Sequence, residues 1–447
     1  MNNQIKNNQL PFNLITWLIS VVPIVLIFSN AIADIIVVTA SLFFLYDSFK
    51  KNYWKWLNEP WVKISIIIYF WLIIVSLFAY DKELSASRAI PWIRFIIFSA
   101  SLQFLFLIKN NNKKKLMIFT IIALIYVNIE MFVEYFTGTS LYSKFRVEFL
   151  NLGSFEGGTQ RVSGPFKDAP KSGIFLAYFL FPIIFSINKL INKKEIFNKS
   201  TIIITLFLIT NLFLVYLSGH RASILSVAIS LSLIISYLLI INKNYKTIFL
   251  IFFLFLSSTF FISNSNLDKF NQNIINKTYS EIKNYSESAY GSLSLTSFKM
   301  FKANPIFGIG IKNYRVACEK DIYLSKGHMG TGYGVSPWKG HYNIGLKKYY
   351  EATCSSHPHN LYLTWLSETG LIGFILFIFF LCTLALKIIK EKKYVYKDLI
   401  FIGLVASLIP KLIPMMPSLN FFSNWNAICF WFLIGWTLSY LPVNKKS

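Results

Sequence analysis

The sequence predicts an all-α, polytopic membrane protein with about twelve transmembrane helices and a large, mainly helical outer loop between the ninth and the tenth. Composition is the first ground: of the 447 residues, 55% are hydrophobic, 18% aromatic and only 14% charged, which is too apolar for a soluble chain of this length. The second is a series of apolar runs near the ~20 residues that a helix needs to cross the hydrocarbon core. The third is lysine gathered in alternate connections, a topological pattern that accounts for the formal charge of +24 without nucleic acid. No basic face or base-stacking motif accompanies that charge, so nucleic acid is not an expected partner.

The spans fall near residues 11–29, 31–47, 61–79, 89–108, 116–136, 172–187, 200–218, 221–241, 247–264, 360–388, 398–413 and 422–441. Those at 31–47, 172–187 and 398–413 are short or interrupted. The N-terminal run carries few positive charges and no small-residue cleavage site, and reads as a retained first span. With the N-terminus inside, the connections KKNYWKW, KNNNKKK, NKLINKKEIFNK, NKNYK and KIIKEKKYVYK and the tail VNKKS all fall on the cytoplasmic side. The outer connections YDKELSAS and SGH carry little net charge. Both chain ends are then cytoplasmic.

Two outer connections are long, at residues 137–171 and 265–359. The expected organisation is therefore spans one to nine in residues 1–264, the large outer loop in 265–359 and spans ten to twelve in 360–447. No repeat of fixed period is evident.

Ionisable residues inside the spans cluster in depth. Asp34, Arg94, Glu130, Glu134, Glu368 and Lys411 all lie towards the outer ends of their runs. Charges at such positions are expensive and face a bundle interior or a wet cavity. They predict either a cleft open to the outer side or helix–helix pairs, such as Arg94 with Glu130 or Glu134.

The chain has six arginines. Arg221 lies in the tight outer turn SGHRAS and Arg161 in RVSGPFKDAPKSG, just ahead of the sixth span. A guanidinium offers a planar fork of donors suited to phosphate oxygens, so both are candidate phosphate contacts, with interfacial anchoring as the alternative. Arg88, Arg146 and Arg315 also lie outside. His357 and His359 stand where the large loop meets the tenth span, and a neutral imidazole there can take a proton from an attacking hydroxyl. Simple solvation is the alternative for either. His220 is a second candidate for acid–base chemistry or phosphate contact, whereas His328 and His341 read as ordinary loop residues. Of the four cysteines, Cys318 and Cys354 fall in the large loop, where an oxidising compartment permits a disulfide between them.

No phosphate-cradling glycine loop, H-E-x-x-H or paired-carboxylate spacing is present, so neither a metal nor a nucleotide cofactor is expected. An enzyme acting outside without nucleotide must use a pre-activated substrate. A lipid-diphosphate-linked sugar fits, because cations stabilise the charge that develops on the leaving diphosphate.

The stretch HNLYLTWLSETGLIG reads as H-N-x9-G-x-x-G from His359 and Asn360 to Gly370 and Gly373. It resembles the signature of the bacterial O-antigen ligase family, within the wider O-antigen ligase and polymerase superfamily. LSGHRASIL, RVSGPFKD and KANPIFGIGIKNY resemble that family's arginine turn, its upstream glycine motif and the Pro-x-x-Gly-x-Gly stretch of its large periplasmic loop. The resemblance covers roughly residues 140–390. It implies a metal-independent and cofactor-independent transfer of a glycan from undecaprenyl diphosphate to a sugar hydroxyl of lipid A-core, at the periplasmic face of the bacterial inner membrane. His359 would activate the acceptor and Arg221 would hold the diphosphate. Arg161, His357, Asn360, His220 and Arg94 are further expected substrate contacts. The family usually carries a second arginine ahead of the Pro-x-x-Gly-x-Gly stretch, but ESAYGSLSLTSFKMFKANP has none, which leaves Lys299, Lys302 or Arg315 to stand in.

Alternatives within the superfamily are a polymerase, for which Arg146 and Gly157 form an R-x10-G pattern, and a protein O-oligosaccharyltransferase. A lipid-linked glycan transporter or flippase is the alternative of another class. Against transport, the ionisable residues lie towards one face and a single long loop breaks any two-fold symmetry.

Overall fold

The computed structural model describes residues 2–150, 161–166, 171–191, 199–242, 276–318, 320, 322–323 and 355–442. Among them the chain is all helical. The helices are α1 (Asn2–Phe28), α2 (Asn30–Lys50), α3 (Pro60–Leu77), α4 (Lys82–Ala89), α5 (Ile93–Ser101), α6 (Asn110–Thr137), α7 (Leu141–Leu150), α8 (Lys171–Ile191), α9 (Lys199–Leu217), α10 (Arg221–Asn242), α11 (Lys277–Lys283), α12 (Ala289–Ala303), α13 (Tyr314–Ala317), α14 (Leu361–Val395), α15 (Leu399–Leu408) and α16 (Asn424–Leu438). Seven are long and apolar enough to cross a membrane, and those at Lys171–Ile187, Ile203–Leu217 and Leu399–Leu412 are apolar but shorter. Seven of the expected spans are thus matched among the described residues, and the shorter helices include two of the runs that the sequence marks as short or interrupted. The expected span at 247–264, the boundary between residues 264 and 265, His328, His341, Cys354 and Gly157 lie outside the described residues.

Local chemistry sets the breaks between helices. Ser29 caps α2, its hydroxyl accepting from Ile32 N at 3.3 Å. Asp81 caps α4 and Asp398 caps α15 through Leu84 N and Ile400 N. Gly138, in the left-handed region at φ +78°, ends α6. Pro23 in α1 and Pro182 in α8 are accommodated inside helices, as neighbouring helices permit in a bilayer.

Helix packing forms one continuous core. α8 lies against α9 and α15, α1 against α2 and α6, α3 and α12 against α14, and α5 against α16. Trp92, Trp365, Phe377, Phe421, Phe422 and Trp431 make an aromatic cluster that ties α14 to its neighbours, with Trp365 stacked on Phe377 at 4.6 Å.

The charged residues of the spans are mostly committed to holding helices and loops. Arg94 does not pair with Glu130 or Glu134. Its Nε and Nη2 grip both oxygens of Asp34 at 2.7 and 3.2 Å, and Nη2 also reaches Asn424. Glu130 instead accepts from Tyr142 N, and Glu134 from the amides of Ser163 and Gly164. Depth along a helix is readable from sequence. The direction in which a side chain points around the helix is what chose Asp34 over the two glutamates.

Candidate active site

Two sequence motifs meet at a break in α14. Gly370 has φ +69° and ψ −174°, a conformation that interrupts the helix. Into this gap fits the stretch Pro305–Gly310: Leu371 N donates to Pro305 O, while Ile309 N and Gly310 N donate to the carbonyls of Ser367 and Glu368. Gly308 lies so close that an added Cβ would meet Gly370 N at 2.6 Å. The fully buried Glu368 accepts from Lys312 N at 2.9 Å and fixes the far end of the same stretch. The Pro-x-x-Gly-x-Gly segment is thereby locked to the helix that begins with the H-N motif.

The H-N motif is in turn stitched to the loop 413–420. Asn360 caps α14 by accepting from Leu363 N, and its amide donates to Pro414 O at 2.6 Å. His359 adopts φ +54°, unusual for a residue with a Cβ, and its carbonyl accepts from Ser418 N. Such a backbone persists only where its surroundings enforce it.

The two histidines differ in how their nitrogens are used. His357 is buried; its Nε2 donates to Ser418 O at 3.0 Å and its Nδ1 faces Ser356 Oγ at 2.9 Å, so both nitrogens are engaged. The His359 ring packs against it, tilted by 42° with ring centroids 4.0 Å apart. Ser355 Oγ is 3.2 Å from His359 Nε2, and Nδ1 has no hydrogen-bond partner among the described residues. Burial lowers the pKa of His359 to about 4 and that of His357 well below its ordinary value, with His359 next in effect on His357. Both are neutral at pH 7.

Arg221 opens α10, directly after the turn Ser218–His220. Gly219 takes φ +60° there, and a Cβ on it would meet Arg161 Cγ at 2.8 Å, so Arg161 packs over the turn. The Arg221 fork grips Glu281 of α11 through both carboxylate oxygens, at 2.7 and 3.1 Å, and Thr278 lies at 3.4 Å. The Tyr290 ring stands between the two halves of the site, 5.9 Å from the Arg221 guanidinium and edge-on to His359 at 6.1 Å. Burial raises the Tyr290 pKa, so its hydroxyl stays protonated.

His220 completes the turn. Its Nδ1 accepts from Ser223 N at 3.2 Å and faces Ser223 Oγ at 2.7 Å. Burial lowers its pKa to about 3, with Lys411, Arg161, His359 and Arg221 adding to the effect in that order. His220 is a neutral helix cap surrounded by positive charge.

With this geometry in view, one comparison bears on the motif-bearing segment. A family model described as O-antigen ligase matches residues 206–378. That segment, under half of the chain, is similar to the O-antigen ligases. Members of this family are glycosyltransferase-type enzymes that act in membranes on lipid-linked glycans. No curated protein matches the chain. The matched segment runs from within α9 to within α14, and so includes the Arg221 turn, Tyr290, the Pro305–Gly310 stretch and both histidines.

The site residues expected from sequence divide into three groups. Arg161, His220, Arg221, His357, His359 and Asn360 converge. Arg94 is held by Asp34, and Lys302 is exposed on α12 over the Phe298 ring. Arg315 lies on α13, where its charge acts on Lys312 and His357. Lys312 is buried, which lowers its pKa to about 8 against the opposing pull of Glu368. Cys318 is disulfide-bonded, while Cys382 and Cys429 are free. Among the described residues no cluster of His, Cys, Asp or Glu has the arrangement of a metal site.

Three site residues escaped the sequence reading: Tyr290, Glu281 and Ser418. Tyr290 and Glu281 belong to a polar loop with no motif of its own, and Ser418 enters through a backbone contact. Lys411 was read by depth alone, although a lone lysine in an apolar run is a usable signal.

Proposed function

We propose that the protein is an O-antigen ligase-type glycosyltransferase of the bacterial inner membrane. It would move a glycan from undecaprenyl diphosphate to a sugar hydroxyl of lipid A-core at the periplasmic face. The observation that carries this reading is the placement, on either side of Tyr290, of an arginine fork and an imidazole whose Nδ1 is open among the described residues. In the proposed reaction the acceptor oxygen attacks the anomeric carbon while its proton passes to His359. The bond from that carbon to the diphosphate breaks, the electron pair leaves with the diphosphate, and Arg221 takes up the charge. Arg161 adds positive potential beside the fork, and His357 holds His359 by ring packing and through their shared contacts with Ser418. The predicted bond from Cys318 to Cys354 would tether the chain just ahead of the histidines.

The Arg221 fork is filled by Glu281, a carboxylate whose two oxygens resemble those of a phosphate. Donor binding then exchanges one anion for another. Glu281→Gln should lower the KM for donor severalfold with little change in kcat, because it weakens the competing contact; an unchanged or raised KM counts against the exchange. Arg221→Lys should reduce transfer by roughly 10²-fold or more, since an ammonium keeps the charge but not the two-pronged geometry. Transfer at the wild-type rate would remove Arg221 from the mechanism.

The same superfamily includes polymerases, which use a lipid-linked glycan as acceptor. Gene deletion separates the two readings: loss of attachment with lipid-linked polymer retained is the ligase outcome, and single capped repeats are the polymerase outcome. The direct test is transfer by the purified protein in detergent with lipid A-core and alternative acceptors. Pure transport cannot register in that assay.

A further inference from the structure

A cavity lies between the Arg221 turn and the loop 413–420, lined by Tyr178, His220, Ser226, Lys411, Ser418 and Asn426. It shares His220 with the arginine turn and Ser418 with the histidine segment, so it is continuous with both halves of the candidate site.

The charge balance of this cavity is incomplete. Lys411 forms no ion pair with a carboxylate among the described residues. Its Nζ is 3.5 Å from Ser226 Oγ and 4.6 Å from the Tyr178 ring centroid, and neither contact neutralises an ammonium. The neighbouring charges have the same sign, because Arg161 and Arg221 act on His220 together with Lys411. Glu281 is already committed to Arg221. A cation at the end of an apolar helix is expensive to hold without a counter-ion, which points to function rather than packing.

The polar atoms around it agree. Ser418 Oγ is buried with no hydrogen-bond partner among the described residues, although the amide and carbonyl of the same residue both serve the histidine segment. The Nδ1 of His220 faces Ser223, which leaves the neutral ring's proton on Nε2. An ammonium, a hydroxyl and an imidazole N–H are all able to donate. A phosphoryl group presents acceptors and negative charge.

We propose that this cavity is the second phosphoryl subsite of the donor, in which Lys411 and Ser418 hold one phosphate of a polyprenyl diphosphate while Arg221 holds the other. This rests on the reading of the chain as a transferase with a diphosphate leaving group. It also supplies the second cation that the segment ESAYGSLSLTSFKMFKANP lacks, from a helix distant in sequence.

The test measures binding of three probes to the purified full chain in detergent: polyprenyl diphosphate, polyprenyl monophosphate and inorganic pyrophosphate. The wild type should prefer the diphosphate lipid to the monophosphate by about tenfold, the worth of one charge-assisted contact. Lys411→Met should bring the two lipids to equal affinity without weakening the monophosphate, and Lys411→Arg should restore most of the preference. A Lys411→Met protein that keeps the preference, or that loses affinity for both lipids together, overturns the assignment. Pyrophosphate bound as tightly as the diphosphate lipid overturns the lipid as the source of the group. A wild type that binds neither lipid would bring down the transferase reading along with the subsite, whereas a preference insensitive to Lys411 leaves that reading intact. The melting temperature of the ligand-free protein is an independent readout. It should rise in Lys411→Met, because a charge without a counter-ion has been removed, whereas a packing role for Lys411 requires it to fall.

Discussion

His359→Ala is expected to reduce glycan transfer by about 10²–10⁴-fold, the usual contribution of a positioned general base, while leaving insertion and folding unchanged. The expectation of an intact fold follows from how this residue is held. Its backbone carbonyl, not its ring, makes the contact with Ser418 N, and the ring's nearest polar neighbour is Ser355 Oγ at 3.2 Å. His357→Ala differs, because both nitrogens of that ring are engaged and the side chain is buried, so it should lower stability as well as activity. The pH profile separates the two roles. His359 has its pKa depressed to about 4, so kcat/KM should hold down to mildly acidic pH and fall below about 4, as the imidazole becomes protonated. A bound diphosphate favours the imidazolium, so the acid limb of kcat should lie at higher pH than that of kcat/KM. Stability carries the same sign. The unfolded chain protonates its histidines near the ordinary value of 6.5, whereas His220, His357 and His359 resist protonation when folded. Their contribution is present above pH 6.5 and is lost progressively on acidification. Wild-type transfer by His359→Ala would sink the assignment of this base.

The histidine and arginine ends of this site were legible in the sequence because each belongs to a local pattern. H-N-x9-G-x-x-G marks a helix entry followed by a break, and SGHR marks a turn between two apolar runs too short for any other course. The spans were legible for a simpler reason: backbone groups in hydrocarbon must be satisfied within the segment, so long apolar runs have few alternatives to a helix. What could not be read was which side of each helix a charged residue occupies. Arg94 found Asp34 rather than Glu130 or Glu134, and those two glutamates hold the loops around residues 142 and 163. Lys411 shows the same limit from the other side. Its depth was apparent, but its place beside His220 depends on the packing of α15 against α8 and α10. Contacts made by backbone atoms, as between His359 and Ser418, leave almost no trace in residue type.

Gly370→Ala is expected to be the most damaging of the glycine substitutions, and the reason can be divided into two parts that an experiment can separate. The first is conformational. At φ +69° and ψ −174° the residue occupies a region open almost solely to glycine, at a cost of about 1–3 kcal/mol for any other residue. The second is steric. A Cβ at this position would lie 2.0 Å from Ile306 O and 2.8 Å from Gly308 N, and both are backbone atoms that cannot rotate away. Relieving that clash means parting the Pro305–Gly310 stretch from α14, which breaks its hydrogen bonds to Leu371, Ser367 and Glu368. Gly138 supplies a control for positive φ without the clash, since it lies in the milder left-handed region at φ +78° and ψ −11°, with nothing among the described residues within 4 Å of an added Cβ. Gly138→Ala should therefore lower the melting temperature in detergent modestly. Gly370→Ala should lower it far more or abolish the folded yield, with transfer lost in parallel because the H-N motif begins the same helix. Equal effects at the two positions would mean that the junction tolerates separation, and the two motifs would then not owe their alignment to it.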